Sequence, residues 1–395
     1  MKQKNKLLLG YAISGLGDQF YTFAIPLLML SRSHSAVVMG LLTAMEYLPT
    51  ALFGLIIGSF FDRYSRKKMM LASLSMQVIL ILLVPVLINK SFSIWLILLL
   101  IFGLGTFDLI SWTGYQVFIA ESVTTEELPS VSGLMGLISS VQKTFGPGIA
   151  ADVINLIHYV GGFILDALSF LYLAFAIKDY RPLKKEKVGP KKSLKATSQE
   201  GFKFLLVHHD IRWLIISFFA ANVGFQAVVP MLTFILKQTM HVSISWISIF
   251  FTISSVASIL GNFVYLRFGK KLKLGMQLIT IGLLITLGFA VMLELSSFIA
   301  VAIGYAVVSF GSVWAQANFF TIIQAKTPDE YKGVITSTST TLTRITGPLM
   351  ALVSGFLVKI EPHLIFIVAI ICLVASVVVS VTSGLSRLGK LDSLK

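Results

Sequence analysis

The chain has 395 residues, of which 56% are apolar and only 13% are charged. A soluble domain averages roughly 25% charged residues, so this composition, with a mean hydropathy of +0.86, excludes a sizeable soluble catalytic domain. The formal charge of +14 is of a kind also found in nucleic-acid-binding proteins, so the positions of the charges have to be examined.

Twelve charge-poor windows follow one another along the chain, each about long enough for a helix to cross a bilayer. The first runs on without a small-residue cleavage site, so we expect a retained helix and not a signal peptide. The sequence predicts an all-α integral membrane protein with twelve transmembrane helices. The windows are 7–31, 37–61, 69–89, 93–119, 131–156, 160–178, 213–236, 243–266, 274–293, 298–323, 333–358 and 362–385.

The basic residues mark one side of the predicted bundle. If the helices alternate from a cytoplasmic N-terminus, 26 of the 32 Lys and Arg residues lie on the cytoplasmic side and four on the other. This bias obeys the positive-inside rule, so we expect a multi-pass protein of the cell membrane with both termini in the cytoplasm. The positive charge then reflects topology, and nucleic acid is not an expected partner.

The longest polar stretch separates six windows from six. We expect residues 1–178 to form an N-terminal six-helix bundle, 179–211 a basic cytoplasmic linker, and 212–395 a C-terminal six-helix bundle. The two bundles are predicted to be pseudo-symmetric, because a short pattern recurs in the fifth and eleventh windows.

The recurring pattern is a cation, two residues and a Gly-Pro pair. It occurs as Lys143 with Gly146 and Pro147, and again 201 residues later as Arg344 with Gly347 and Pro348. Parallel repeats of this kind predict a substrate path between the halves. The Gly-Pro pairs are expected to bend their helices and to act in gating, because proline removes a backbone hydrogen bond.

The turn between the second and third windows carries a motif. It reads Gly58-Ser-Phe-Phe-Asp62-Arg63-Tyr-Ser-Arg66-Lys67-Lys68, which is similar to the Gly-x-x-x-Asp-Arg-x-x-Arg-Lys-Lys signature of the major facilitator superfamily. An acid beside a basic turn can hold a neighbouring helix through contacts that alternating access makes and breaks. The resemblance therefore implies gating roles for Gly58, Asp62, Arg63, Arg66 and Lys67.

Further segments resemble the drug-efflux branch of that superfamily, which includes macrolide exporters. The fourth window departs from many proton-coupled relatives, because it contains Asp108 and no arginine. The turn motif of the second half has Tyr265 in place of the acid, so we expect that half to lack the charge contact. The segments that carry the resemblance are Gly15-Leu-Gly17-Asp18, the Gly-Pro pair of the fifth window, Leu165-Asp166-Ala-Leu-Ser169-Phe170 and residues 323–334.

Ionisable side chains inside apolar windows are costly, so each one is a candidate functional group. We expect Asp18, near the middle of its helix, to be the proton-coupling residue, with a structural hydrogen-bonding role as the alternative. Asp108 is the second coupling candidate and also a candidate ion-pair partner of Lys143, while a structural role is favoured for Asp166. The five acids, all in the N-terminal half, are Asp18, Glu46, Asp108, Asp152 and Asp166.

Aromatic and amide side chains supply candidate substrate contacts. Trp112 and Tyr115 share a helix face with Asp108, an arrangement that can bind a lipophilic cation. Arg344 has no acid in the apolar windows of its own half, so its partner comes from the N-terminal half, from an anionic substrate or from backbone carbonyl groups. Neutral polar groups, which can also join helices, occur at Asn222, Gln226, Trp314 and Asn318.

The sequence contains no nucleotide-binding loop, zinc-ligand spacing or nucleophile elbow. We therefore predict a secondary active transporter and not an enzyme: proton-coupled efflux of amphipathic small molecules such as antibiotics by alternating access. The alternative is an exporter of an endogenous metabolite such as a siderophore, or a proton-coupled importer of an anionic solute. We expect no cofactor or metal besides the proton gradient, a monomeric chain, and a small-molecule substrate and the lipid bilayer as partners.

Overall fold

The computed structural model describes residues 3–63, 65–89, 93–123, 128–178, 207–327 and 346–390, and within this part every regular element is helical. α5 bends at His158, where the backbone leaves the helical region with φ of 59°. The helices are α1 Gln3–Ser33, α2 Ala36–Arg63, α3 Arg66–Asn89, α4 Ile94–Ser122, α5 Leu128–Lys178, α6 His209–Val228, α7 Ile244–Phe268, α8 Leu274–Val291, α9 Phe298–Lys326, α10 Thr346–Ile360 and α11 Leu364–Thr382.

The helices follow the predicted windows in order. α1 to α4 correspond to the first four windows, the two arms of α5 on either side of His158 to the fifth and sixth, and α6 to α11 to the remaining six. Nine helices in the described ranges are long and apolar enough to cross a membrane. The predicted all-α integral membrane fold is confirmed.

After the end of α6 at Val228, the chain stays helical but becomes irregular. The chain continues through a 3-10 turn at Val229–Met231 and reaches a π-helical turn at Ile235–Thr239. Pro230 lies in the first of these turns, and proline cannot donate the backbone hydrogen bond that a regular α-helix requires. The seventh window is therefore one span with an irregular second half.

The chain divides into two compact units. The first comprises Met1–Val188 and Ser243–Thr252, and the second comprises Gly189–Val242 and Ile253–Lys395. The predicted linker at 179–211 stays a prediction, because most of it lies outside the described residues.

In the first unit, α5 is the central packing element. α1 packs along α5, α3 packs on both α4 and α5, and α2 packs on α4. Gly105 allows the close approach of α4 to α2, because a Cβ atom there would lie 2.7 Å from the carbonyl oxygen of Glu46. This packing brings α1, α2, α4 and α5 around one interior space.

The second unit is built around α6, α8 and α11. α6 packs on α10 and α11, and α8 packs on α9 and α11. Phe218 of α6 stacks on Phe319 of α9, with ring centroids 4.1 Å apart. Ile211 and Leu214 of α6 are buried in the same cluster. These contacts hold one face of α6 against the core, so that the polar residues on another face can line a cavity.

The superfamily-like motif spans the turn from α2 to α3. The surroundings of Gly58 and the side chains of Asp62 and Arg63 lie outside the described part of the structure, whereas Arg66 and Lys67 are half-buried in the first turn of α3. In the second unit, the hydroxyl of Tyr265 lies 2.6 Å from Thr321 Oγ1. A neutral hydrogen bond thus joins α7 to α9 where the motif would have an acid.

Candidate functional site

A cavity of about 430 Å³ lies inside the first unit. It is lined by four carboxylates, and each comes from a different helix: Asp18 of α1, Glu46 of α2, Asp108 of α4 and Asp166 of the second arm of α5. Lys143, from the first arm of α5, lines the same space. Because ionisable groups in membrane helices are costly to retain, we take this cavity as the candidate functional site.

Aromatic rings lie beside these acids. Trp112 is 46% exposed and lines the cavity together with Tyr11, their ring centroids being 6.1 Å apart. Tyr21 and Tyr47 also line it. Carboxylates next to the faces of aromatic rings suit a ligand that has a positive charge and an apolar body.

Tyr115, predicted as a substrate contact, lies behind this wall. It is 2% exposed and donates its hydroxyl to the carbonyl oxygen of Leu7 over 3.0 Å. It stacks on Tyr11 with ring centroids 4.9 Å apart and lines a void of only about 40 Å³. In this conformation, Tyr115 positions Tyr11, and its contact with substrate stays a prediction.

α1 is held against α5 by side chains that fit against glycines. Gln142 of α5 donates from Nε2 to the carbonyl oxygens of Tyr11 and Ala12, over 3.1 and 2.9 Å. It occupies the space that a side chain at position 15 would need, which explains the glycine there. These bonds fix the rotation of α1 and thereby present Asp18 to the cavity.

The two Gly-Pro pairs take corresponding places in the two units. A Cβ atom at Gly146 of α5 would lie 2.5 Å from the Cβ of Gln19 in α1. A Cβ atom at Gly347 of α10 would lie 2.9 Å from Nε2 of Gln226 in α6. Each glycine thus faces a glutamine on the first helix of its own unit. Gating by these pairs, including Pro147 and Pro348, stays a prediction.

The second unit contains a cavity of about 320 Å³ with a different character. Asn222, Gln226 and Asn318, all predicted as substrate contacts, line it, and the described residues around it include no Asp, Glu, Lys or Arg. Asn222 donates to the carbonyl of Phe218 over 2.8 Å, and Asn318 donates to that of Leu274 over 3.1 Å. The hydrogen-bonding groups among the described lining residues of this cavity are therefore neutral.

Trp314 does not line that cavity. It is 6% exposed and donates from Nε1 to Oε1 of Gln277 over 2.8 Å. Gln277 in turn donates to the carbonyl of Gly269 over 2.8 Å. Trp314 is therefore tied to the turn between α7 and α8.

Two further pairs of corresponding residues, not recognised in the sequence, make different contacts in the two units. Gln77 and Trp112 precede Gln277 and Trp314 by 200 and 202 residues. Gln77 donates to Ser111 Oγ over 3.1 Å, whereas Gln277 accepts from Trp314. The first-unit tryptophan is consequently open to the acidic cavity. The 201-residue offset between the Gly-Pro pairs was the signal in the sequence that could have revealed that Gln77 corresponds to Gln277 and Trp112 to Trp314.

The predicted roles of two basic residues, Arg344 and Lys143, stay predictions. Arg344 lies outside the described residues. Lys143 and Asp108 line the same cavity, and their ion pair stays a prediction. Within the described ranges, no group of three or more His, Cys, Asp or Glu side chains is arranged to hold a metal ion.

Residues 7–351 match the family model of the Major Facilitator Superfamily. The chain belongs to this superfamily. No curated protein matches this superfamily member by sequence. The family and its solved transporters identify the chain as a transporter and not an enzyme, which confirms the predicted class.

Solved transporters share the fold of this superfamily member at low sequence identity. A bacterial homologue of the iron transporter ferroportin, in an inward-facing state, is 17% identical, with a TM-score of 0.74 over 96% of this chain and 98% of that one. A bacterial homologue of the human lysosomal transporter Spinster is 14% identical, with a TM-score of 0.72 over 97% and 96%. The nucleoside transporter NupG is 13% identical, with a TM-score of 0.72 over 98% and 99%.

Proposed function

We propose that this superfamily member exports amphipathic small molecules, cationic or neutral, in exchange for protons by alternating access. The observation that carries the proposal is the cavity lined by four carboxylates in the first unit. Asp18 is the first candidate for the proton-coupling residue and Asp108 the second. No cofactor besides the proton gradient is required.

Antiport follows if the proton and the substrate compete for the same negative charge. A cation that binds beside a carboxyl group favours the ionised form, so substrate binding promotes proton release. By linkage, protonation weakens cation binding by the same factor. Asp18 and Asp108 line the same space as Trp112, so a bound cation could contact both a carboxylate and the indole ring.

The remaining parts of the proposal concern the cellular setting. The excess of basic residues on one predicted side supports an N-terminus and a C-terminus in the cytoplasm. We place the protein in the plasma membrane as a monomer. Its resemblance to the drug-efflux branch supports antibiotics and related compounds as substrates, and thus a role in multidrug resistance.

The test is accumulation of a fluorescent lipophilic cation in cells that express the wild type, Asp18→Asn or Asp108→Asn. We expect the wild type to accumulate less dye than cells with an empty vector, and a protonophore or Asp18→Asn to abolish the difference. Asp152→Asn is the matched control, because Asp152 is exposed on α5 and is not among the residues that line the cavity. Equal accumulation in wild-type and empty-vector cells would contradict cation efflux.

The second candidate is transport of an anionic solute, either as export of an endogenous metabolite such as a siderophore or as proton-coupled import. It is favoured by Lys143, which lines the acidic cavity, and by Arg344, whose half of the chain has no acid in its apolar windows. Competition by carboxylates that is lost in Arg344→Gln would support this candidate against cation efflux.

A further inference from the structure

Asp166 is the most enclosed of the four cavity acids. Its side chain is 1% exposed, although it forms part of the cavity wall. The hydroxyl of Ser169 donates to the backbone carbonyl oxygen of Asp166 over 2.7 Å. The same hydroxyl oxygen lies 3.4 Å from Oδ1 of the Asp166 side chain. Oδ2 is buried and has no hydrogen-bond partner in the described structure.

The carboxyl group packs against the backbone of α1 at Gly17. A methyl group at this position would overlap Oδ1 of Asp166 and would lie 2.5 Å from Ser169 Oγ. Gly17 and Asp166 belong to two segments that are far apart in sequence. In the folded chain the two residues are in contact. Because Gly17 immediately precedes Asp18 in α1, this helix covers the Asp166 carboxyl group next to Asp18.

The charged groups around this contact are those of the cavity. α1 contributes Asp18, α2 contributes Glu46, α4 contributes Asp108, and the first arm of α5 contributes Lys143. Three of these four are acids, which disfavour a further negative charge nearby. A carboxylate removed from water without full hydrogen bonding is costly, whereas the neutral acid avoids most of that cost.

We propose that Asp166 holds a proton in this conformation and is the residue from which the exchanged proton leaves. This inference rests on the proposed antiport and deepens it by reassigning the proton within the same cavity: Asp166 carries the exchanged proton, and Asp18 attracts the cation. When α1 moves away at Gly17, water reaches the carboxyl group, its O–H bond breaks and the proton passes to that water. The carboxylate left behind is stabilised by water, by Ser169 and by the arriving cation, while Asp18 attracts the cation from the open side of the cavity.

The first test needs no substrate. Infrared spectra of the purified protein in lipid nanodiscs at neutral pH, compared between the wild type and Asp166→Asn, report protonated carboxyl groups directly. We expect a carbonyl band that shifts in D₂O and is lost in Asp166→Asn but is kept in Asp152→Asn. If wild type and Asp166→Asn have the same protonated-carboxyl bands, the inference is wrong, whatever the transporter carries.

The second test separates proton exchange from folding. In liposomes, Asp166→Asn removes the exchangeable proton but keeps Asp18, which attracts the cation, so we expect exchange of a lipophilic cation across the membrane to continue without a gradient, at a lower affinity. Accumulation driven by a pH gradient should fall to the level of protein-free liposomes. Loss of exchange as well, in a variant that purifies as a normal monodisperse protein, would overturn the proton role.

A glycine variant tests the closure by α1. Gly17→Ala is expected to displace the carboxyl and shift the Asp166 infrared band, whereas Gly54→Ala is expected to leave it unchanged, because a methyl group there would meet no atom within 4 Å. An unshifted band in Gly17→Ala would contradict the closure. If the wild type transports no cation, the proposed substrate fails, while the infrared comparison still decides the protonation of Asp166.

Discussion

Trp112 and Trp314 show how one residue type serves two purposes at corresponding places. Trp112 is 46% exposed at the acidic cavity, while Trp314 is 6% exposed and bonded to Gln277. We expect Trp314→Phe to lower the free energy of unfolding by about 1–3 kcal/mol, because Oε1 of Gln277 loses its donor in a buried site. Thermal unfolding of the purified protein measures this effect.

Trp112→Phe is the matched variant for that measurement. Because its indole ring lines the cavity, we expect a change in stability of within about 0.5 kcal/mol and a several-fold loss of affinity for a lipophilic cation. A large drop in stability for Trp112→Phe, with unchanged affinity, would show that the ring is part of the packing and not of the binding surface.

The cavity acids could be predicted from the sequence, because charged side chains in membrane helices carry a high free-energy cost. The residues that surround them in the fold could not. Each acid is costly in an apolar window regardless of what surrounds it, so Asp18 and Asp108 could be singled out. The segment around Asp166 resembles that of relatives, which favours a structural role, whereas the enclosure of its carboxyl group depends on the rotation of α1 and is not visible in the sequence. That rotation follows from contacts at glycines, such as Gln142 at Gly15, which join residues more than 100 positions apart.

At the level of helices, the two Gly-Pro pairs predict unequal responses to the same substitution. Gly146→Ala would bring a methyl group to 2.5 Å from the Cβ of Gln19, an atom fixed to the backbone of α1. Overpacking of this kind costs about 1–3 kcal/mol, and Asp18 is the neighbouring residue. We therefore expect lower thermal stability and weaker transport for Gly146→Ala.

Gly347→Ala is the counterpart in the second unit. The atom nearest to its new methyl group, at 2.9 Å, is Nε2 at the flexible end of Gln226. This side chain can rotate into the neighbouring cavity, so we expect a loss of less than about 1 kcal/mol. Equal destabilisation by the two variants would show that the repeated glycines are equally constrained.

The positions of the helices were predictable for a physical reason. A segment that crosses a bilayer must satisfy its own backbone hydrogen bonds and be apolar over its length, so hydropathy alone located the windows. The irregular second half of the seventh span, which follows α6, was not predicted, because a π turn adds one residue without changing hydropathy. The neutral bond from Tyr265 to Thr321 was also missed, since absence of an acid does not reveal what replaces it.

On the scale of the whole molecule, the distribution of basic residues predicts the orientation of the chain in the membrane. We expect a fluorescent protein fused to the C-terminus to fold and emit light, because that end is predicted to lie in the cytoplasm. Alkaline phosphatase at the same place should be inactive. The reverse pattern would show that the charge bias was misread and that the direction of every helix is inverted.

The superfamily was predictable from the arrangement of six plus six helices and the turn motif, and it is confirmed, whereas the resemblance to the drug-efflux branch stays a prediction. The motif at Asp62 implies gating contacts, which carry no information on substrates. Substrate contacts depend on side chains that line cavities, and these differ between the acidic cavity of the first unit and the cavity of the second unit, whose described lining has no charged residue. The substrate class therefore remains the subject of the proposal.

The unequal charge of the two cavities has an electrical consequence. Exchange of one proton for one monovalent cation moves no net charge, so such transport would be driven by the pH difference alone. Export of a neutral compound through the same acids would carry one proton charge inward, and the membrane voltage would then add about 2.3 kcal/mol per 100 mV. The described lining of the second cavity contains no Asp, Glu, Lys or Arg, so in this exchange of one proton the charge of the cargo decides whether transport is electrogenic.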